Sequence, residues 1–366
     1  MRVLFTSAPG HGHVRPLLPL AGAARSAGHE VLFATDADFL AAPEKAGLRT
    51  MPAGGSIQEA FAAATGSVPR RPPSGDGMRP VLGAVFGDAM PRRFLADLTP
   101  ILERERPDLV VYEQGNIGGG FAAKLAGIPG MRHGFGRVSP SDLGAEIQRN
   151  SRALAAEIGI GEPPQATDPF IDICPESAQA PEALATTDRI PLRPGEWHEP
   201  VVRTGHPLLY LTFGTAFGDV EVLRTAIAGL STLDAEVLVA TGPAVDPATL
   251  GAVPDNVRLE TWVSQDAVLR ASSLAVHHGG SGTMLGAFAA GIPQLVLPQG
   301  ADQFTNAETV HALGLGTILT EPGTITEAAR HLLTTPAVAA AARTMAAEVA
   351  AMPAPDELAA RLPEFA

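Results

Sequence analysis

The chain has 366 residues, enough for two domains of ordinary size, each able to bury its own core. Its 26 basic residues stand against 39 acidic ones, and a net charge of −13 argues against nucleic acid as a partner. A single cysteine, Cys174, precludes an internal disulfide. No apolar run approaches the ~20 residues of a membrane-spanning helix. The first seven residues read as too short and too strand-like for a signal peptide, so a reducing cytoplasm is expected.

Residues 2–7 read as a buried strand, followed by the turn Pro9-Gly10-His11-Gly12-His13-Val14-Arg15-Pro16. Leu17, Leu18, Leu20, Ala21 and Ala24 then recur at helical spacing, and residues 31–35 form a second strand. A β–turn–α–β opening begins a doubly wound sheet. The turn lacks the third glycine of a dinucleotide fingerprint, which argues against a nicotinamide or flavin site. Asp36-Ala37-Asp38, the only Asp-x-Asp, follows the second strand and reads as a helix-cap region rather than a metal motif.

Residues 52–91 are rich in Gly, Pro and Ala, and 66–80 read as a loop. A helix through Phe94, Leu98, Ile101 and Leu102 leads to a strand at 107–112 that ends at Glu113. Open α/β sheets bind ligands at such strand ends. Further elements are a helix at 121–126 opened by three glycines, a strand at 130–133, a helix at 140–158 and a strand at 170–173. The Pro-rich stretch 175–200 reads as an interdomain linker. The pattern restarts with an apolar strand at 208–213 and the turn Gly214-Thr215, and strands follow at 236–240, 257–260 and 294–297. The alanine-rich end, 325–361, is helical with a break at Met352-Pro353.

The most informative stretch is Val276-His277-His278-Gly279-Gly280-Ser281-Gly282-Thr283. A short apolar strand runs into a glycine turn, after which Met284, Leu285, Phe288 and Ala289 recur as a helix. Strand, glycine turn and helix together bind phosphate: the backbone comes close, free N–H groups point at the anion, and the helix dipole favours it. His278 and Thr283 add side-chain donors. Trp262-Val263-Ser264-Gln265 lies upstream and Asp302-Gln303-Phe304-Thr305-Asn306-Ala307-Glu308 downstream.

This succession over residues 262–308 resembles the donor signature of nucleotide-sugar glycosyltransferases with the GT-B fold. The likeness extends over nearly the whole chain and is closest to antibiotic-tailoring, calicheamicin-type enzymes. It implies an α/β architecture of two Rossmann-like doubly wound domains facing across a cleft. The expected division is an acceptor-binding domain at 1–190, a linker at 191–206, a donor-binding domain at 207–350, and a final helix at 351–366 that packs back on the first domain.

The resemblance also implies roles. Trp262 stacks on the base, with Val263 and Gln265 beside it. Gly214 and Thr215, with His278, Gly280, Ser281, Gly282 and Thr283, hold the diphosphate, and Asp302 and Gln303 grip sugar hydroxyls. The pattern Gly-His-x-x-Pro places the catalytic base on His13, with His11 the competing choice two residues earlier. Glu113, where many relatives carry Asp, pairs with the base; read from the turn alone, His13 equally caps the following helix. Acceptor contacts fall to His11, Phe61, Met78, Phe86, Met90 and His133, although the apolar members serve equally well as core. Val85, Arg137 and Ser139 border the same region.

The implied reaction is an inverting, metal-independent transfer of a deoxy or amino sugar to an apolar natural-product aglycone such as an enediyne or another polyketide. No cofactor is expected beyond the nucleotide-sugar co-substrate. Where some uridine-diphosphate enzymes carry a glutamate for the ribose hydroxyls, this chain has Gly286, which fits a thymidine diphosphate (TDP) sugar lacking the 2′-hydroxyl. A nucleotide-sugar epimerase of the same fold and a non-catalytic sugar-nucleotide binder are the alternatives. A homodimer is left open.

Overall fold

The apolar runs form the middles of two parallel sheets in this computed structural model, which describes residues 1–67, 76–138, 140–195, 205–214 and 219–366. The chain divides into two units, Met1–Glu196 with Pro353–Ala366, and Trp197–Met352.

In the first unit the strands are β1 (Arg2–Thr6), β2 (Glu30–Thr35), β3 (Arg49–Pro52), β4 (Leu109–Glu113), β5 (Gly130–His133), β6 (Phe170–Asp172) and β7 (Arg189–Pro191). They pair in parallel in the order β3-β2-β1-β4-β5-β6-β7, with Val3 opposite both Val31 and Leu109. Parallel strands need a crossover for every step, and helices covering both faces demand continuous apolar sequence. β4, Leu-Val-Val-Tyr-Glu, is accordingly buried throughout. The helix Met90–Glu105 buries Phe94, Leu98, Ile101 and Leu102 against this sheet. The three glycines lie inside the helix Ile117–Leu125 rather than before it, and a Cβ on Gly118 would stand 2.4 Å from the carbonyl oxygen of Pro91.

Residues 175–195 of the stretch read as linker differ from that reading, and 196–200 lie outside the described residues. Residues 175–195 hold the helix Pro181–Leu184 and the strand β7. The cause is Asp172, fully buried at the end of β6, which would be costly without partners. It receives the amide of Cys174 (2.9 Å), the Gln179 side chain (2.9 Å) and the Arg189 guanidinium (2.7 Å), and so draws the Pro-rich segment onto the sheet. The terminal helix Pro355–Arg361 belongs to this unit too: it packs on the helix Leu18–Ser26, and the His29 ring lies 3.1 Å from the Ala359 carbonyl oxygen.

In the second unit the strands are β8 (Leu208–Thr212), β9 (Glu236–Ala240), β10 (Val257–Glu260), β11 (Leu274–His277), β12 (Gln294–Val296) and β13 (Gly316–Ile318). Their parallel order is β10-β9-β8-β11-β12-β13. Leu209, Leu211, Val237, Val239, Val276 and Leu295 face the core formed with the helices Val220–Leu230 and Ile325–Thr334.

Each sheet therefore reverses direction beside its first strand, between β1 and β4 in one unit and between β8 and β11 in the other. Ligands of open α/β sheets bind at this switch point, outside the carboxyl ends of the strands. Among the described residues no helix is long and apolar enough to cross a membrane.

Candidate functional site

At the switch point of the first unit, β1 leads into a single helical turn, His11–Val14, whose amides at His13 and Val14 donate to the Gly10 carbonyl (3.1 and 3.0 Å). Pro16 opens the next turn, where its missing N–H costs nothing. This geometry directs His13 at the carboxylate that ends β4, with Nδ1 3.1 Å from Glu113 Oε2. Glu113 is fully buried; its Oε1 accepts from the Gly115 amide (2.6 Å) and its Oε2 from the Ala8 amide (3.4 Å). The His13 side chain is 32% exposed. Phe135 meets the ring edge-on at 5.0 Å.

His11, the competitor, packs edge-on against Phe39 at 5.3 Å, and burial together with Arg15 lowers its pKa. The carboxylate contact thus belongs to His13. Asp36 caps a local turn by accepting from the Asp38 amide (3.0 Å), as its position after β2 suggested.

The acceptor-side expectations need correction at three positions. His133 has no exposed surface; its Nδ1 lies 2.6 Å from the Gly134 carbonyl oxygen, and burial pushes its pKa down to about 4. Phe61 and Met90 are core residues, 5% and 2% exposed, in the cluster with Phe94 and Leu98. Phe86 is half-buried against that cluster, and Met78 is half-buried at the end of a short turn. Ser139 lies outside the described residues.

At the second switch point, β8 leads through Phe213 to Gly214, and β11 ends at His277 with His278 next in the chain. Gly214 has φ +75°, and its amide donates to Thr212 Oγ1 (3.2 Å). The His278 ring is packed between two glycines: a Cβ on Gly214 would stand 2.6 Å from it and one on Gly280 2.5 Å. Both positions must therefore be glycine for the imidazole to sit there. His278 is 8% exposed, and burial pushes its pKa down to about 4 despite the pull of Asp302, so at neutral pH it is an uncharged imidazole. The helix Ser281–Ala290 follows, and its N-cap Gly280 brings no side chain to satisfy the first amides. The amides of Thr283 and Met284 donate to the Gly280 carbonyl (3.1 and 3.0 Å), and the helix offers no acceptor to those of Ser281 and Gly282. The result is a set of neutral donors with a helix dipole behind them, suited to an anion.

Around this turn, Gln265 donates to Thr283 Oγ1 (2.7 Å). Ser281 Oγ donates to Asp302 Oδ2 (2.8 Å). Val263 packs with Leu269 and Tyr210, while Trp262 is 46% exposed. Gly282 is exposed in the first helical turn. Gln303 is 2% exposed, and its amide oxygen accepts from the amides of Gln299 (2.7 Å) and Gly300 (3.0 Å). That oxygen braces a loop and is not available to a hydroxyl. Thr215 lies outside the described residues.

Three buried polar residues escaped the sequence reading: His277, Gln294 and Asn306. His277 Nδ1 accepts from the Gly279 amide (3.0 Å), which puts the proton on Nε2, 2.9 Å from Gln294 Oε1. Burial lowers its pKa to about 3. Asn306 stands one helical turn after Asp302 on the same buried face as Val310, a polar residue in an apolar stripe. That spacing was the available signal. Among the described residues no group of three His, Cys, Asp or Glu side chains is arranged to hold a metal ion.

Two Rossmann-like units with sites at both switch points define a glycosyltransferase of the GT-B fold. The structure superposes on the glycosyltransferase SsfS6 of Streptomyces sp. SF2575 in complex with thymidine diphosphate, with TM-score 0.81, 28% identity and all of both chains covered. It is similar to the calicheamicin glycosyltransferase CalG4, with TM-score 0.82, 25% identity, all of this chain and 98% of that one. In sequence it is 36% identical over 391 aligned residues to the elloramycin glycosyltransferase ElmGT of Streptomyces olivaceus, covering 99% of this chain and 97% of the relative. Residues 22–191 and 224–365 match the N- and C-terminal domains of the family described as erythromycin biosynthesis protein CIII-like. The chain belongs to this family of antibiotic-tailoring glycosyltransferases.

Proposed function

We propose that the protein is an inverting, metal-independent glycosyltransferase that moves a deoxy or amino sugar from a TDP-sugar to a hydroxyl of an apolar polyketide aglycone. The observation that carries this reading is the contact between the half-exposed His13 and the buried Glu113. In the proposed reaction His13 takes the proton of the acceptor hydroxyl as that oxygen attacks the anomeric carbon. The bond from that carbon to the diphosphate breaks, and TDP departs with the electron pair. Glu113 fixes the imidazole tautomer and stabilises the imidazolium. A single displacement inverts the anomeric centre.

Charge that develops on the leaving diphosphate is met by the donors of the second switch point, the N–H groups that open the helix Ser281–Ala290 and the His278 ring. Trp262 supplies a stacking surface for the base. For the nucleotide, Gly286 supports TDP. The position carries no carboxylate, and a Cβ there would stand 2.7 Å from Leu269 Cδ1, so a larger side chain would require Leu269 to shift. The similarity to SsfS6, whose structure contains thymidine diphosphate, favours the same reading.

The test is turnover of TDP-deoxysugars with a panel of polyketide aglycones in the presence of EDTA, followed by mass spectrometry and NMR of the anomeric proton. The expected product carries one added sugar with inverted configuration, and His13→Ala abolishes it. Retention of configuration, or turnover lost with EDTA, would overturn the mechanism. Nucleotide release with no acceptor product would point to the epimerase.

A further inference from the structure

We infer that Asn306 is a positioning residue that fixes both the diphosphate turn and the Asp302 carboxylate, an inference that rests on the proposed donor site. One amide group reaches three parts of that site. Asn306 Nδ2 lies 2.8 Å from the Gly279 carbonyl oxygen, 3.2 Å from Ser281 Oγ and 3.0 Å from Asp302 Oδ2. All three are acceptors, so the amide orientation is decided by its neighbours: the flipped rotamer would set oxygen against oxygen.

The turn residue it holds is clamped from both sides. Gly279 has φ +94°, and a Cβ there would stand 2.9 Å from the Gln303 carbonyl oxygen. Its N–H goes to His277 and its C=O to Asn306, so the peptide on either side of it has one orientation. His278, Gly280 and the first amides of the helix Ser281–Ala290 take their directions from it.

Asp302 is held in the same way. Its Oδ2 receives both Ser281 and Asn306, and the carboxylate stays partly exposed. Two donors on one oxygen leave Oδ1 turned out as an acceptor for a sugar hydroxyl. Asn306 has no accessible surface, and its own Oδ1 has no hydrogen-bond partner among the described residues. A buried unpaired acceptor is costly, and in native structures such groups are few. Asn306 bears that cost for the placement of its NH2, so it acts through Asp302 and the turn without touching donor.

The test measures donor KM and kcat at saturating acceptor, with single and double variants. Hydrogen bonds to a charged group suggest that Asn306→Ala raises donor KM about tenfold while kcat changes less than about threefold. Asn306→Asp sets a second carboxylate against Asp302 and raises it further. In an Asp302→Ala background the Asn306→Ala factor shrinks to about twofold, the share owed to the turn, because the carboxylate it orients is gone. An equal factor in both backgrounds overturns the inference, since a purely structural role would give that result. If Asn306→Ala fails to fold by circular dichroism, Ser281→Ala carries the test. It removes the other donor to Asp302 Oδ2, and an unchanged donor KM overturns the inference. A wild-type enzyme that binds no TDP-sugar sinks the donor-site reading itself, whereas normal binding with an unchanged Asn306→Ala variant sinks only the inference.

Discussion

The two switch points occupy the same address in the same strand order, yet their histidines are prepared for opposite work. In the first unit His13 touches a carboxylate and keeps a third of its side chain in solvent. In the second unit His277 and His278 are buried, and burial holds their pKa values at about 3 and about 4. A ring beside a carboxylate can take and hold a proton. A ring deprived of water stays neutral and serves as a fixed dipole. Fold alone places a ligand; the neighbours of each imidazole decide whether the site moves protons or binds an anion.

The sharpest way to break this contrast is to exchange the roles by mutation. His13→Ala should lower kcat about a thousandfold and leave the dissociation constant of TDP within about twofold, as a general base outside the donor site would. Next in size, Glu113→Gln should lower kcat about a hundredfold with the same unchanged TDP affinity, since the amide neither fixes the tautomer nor stabilises the imidazolium. Steady-state kinetics beside calorimetry checks both. Gly280→Ala should do the reverse. Its methyl would collide with the His278 ring, so TDP binding should weaken by about 1–3 kcal/mol, and the same substitution should lower the melting temperature.

A further consequence concerns acid stability. His133, His277 and His278 have pKa values pushed down to about 4, 3 and 4 by burial, whereas in the unfolded chain they bind protons near the ordinary 6.5. Between pH 6.5 and about 4 the unfolded state therefore holds more protons, and stability falls as pH falls. Urea unfolding at several pH values should show a loss of about 1 kcal/mol per pH unit for each histidine. His133→Gln should flatten the slope by its share. A slope unchanged in that variant would mean that the ring is not buried as described.

Much of the fold was legible because buried parallel strands leave continuous apolar runs, as in Leu-Val-Val-Tyr before Glu113. β7 was not, since Arg-Ile-Pro has no such pattern and joins the sheet through Asp172, 17 positions from Arg189. At the site, the glycine turn could be read from local spacing, and Asp302 only from the resemblance to the family. The choice between His11 and His13 could not, because the carboxylate that decides it lies in a strand distant in sequence. His133 read as a ligand because residue type does not reveal which way a polar group faces. Asn306 was readable in principle, four residues after Asp302 and flanked by Ala307 and Val310 on the buried face.

The central claim is that proton transfer belongs to the first unit and anion binding to the second. The most direct test is calorimetric titration of TDP, with UDP beside it, into the wild-type protein and His13→Ala, with EDTA throughout. The account predicts one TDP affinity for both proteins, unaffected by the chelator and tighter than for UDP. Loss of TDP binding in His13→Ala, or binding that requires added metal, would contradict it.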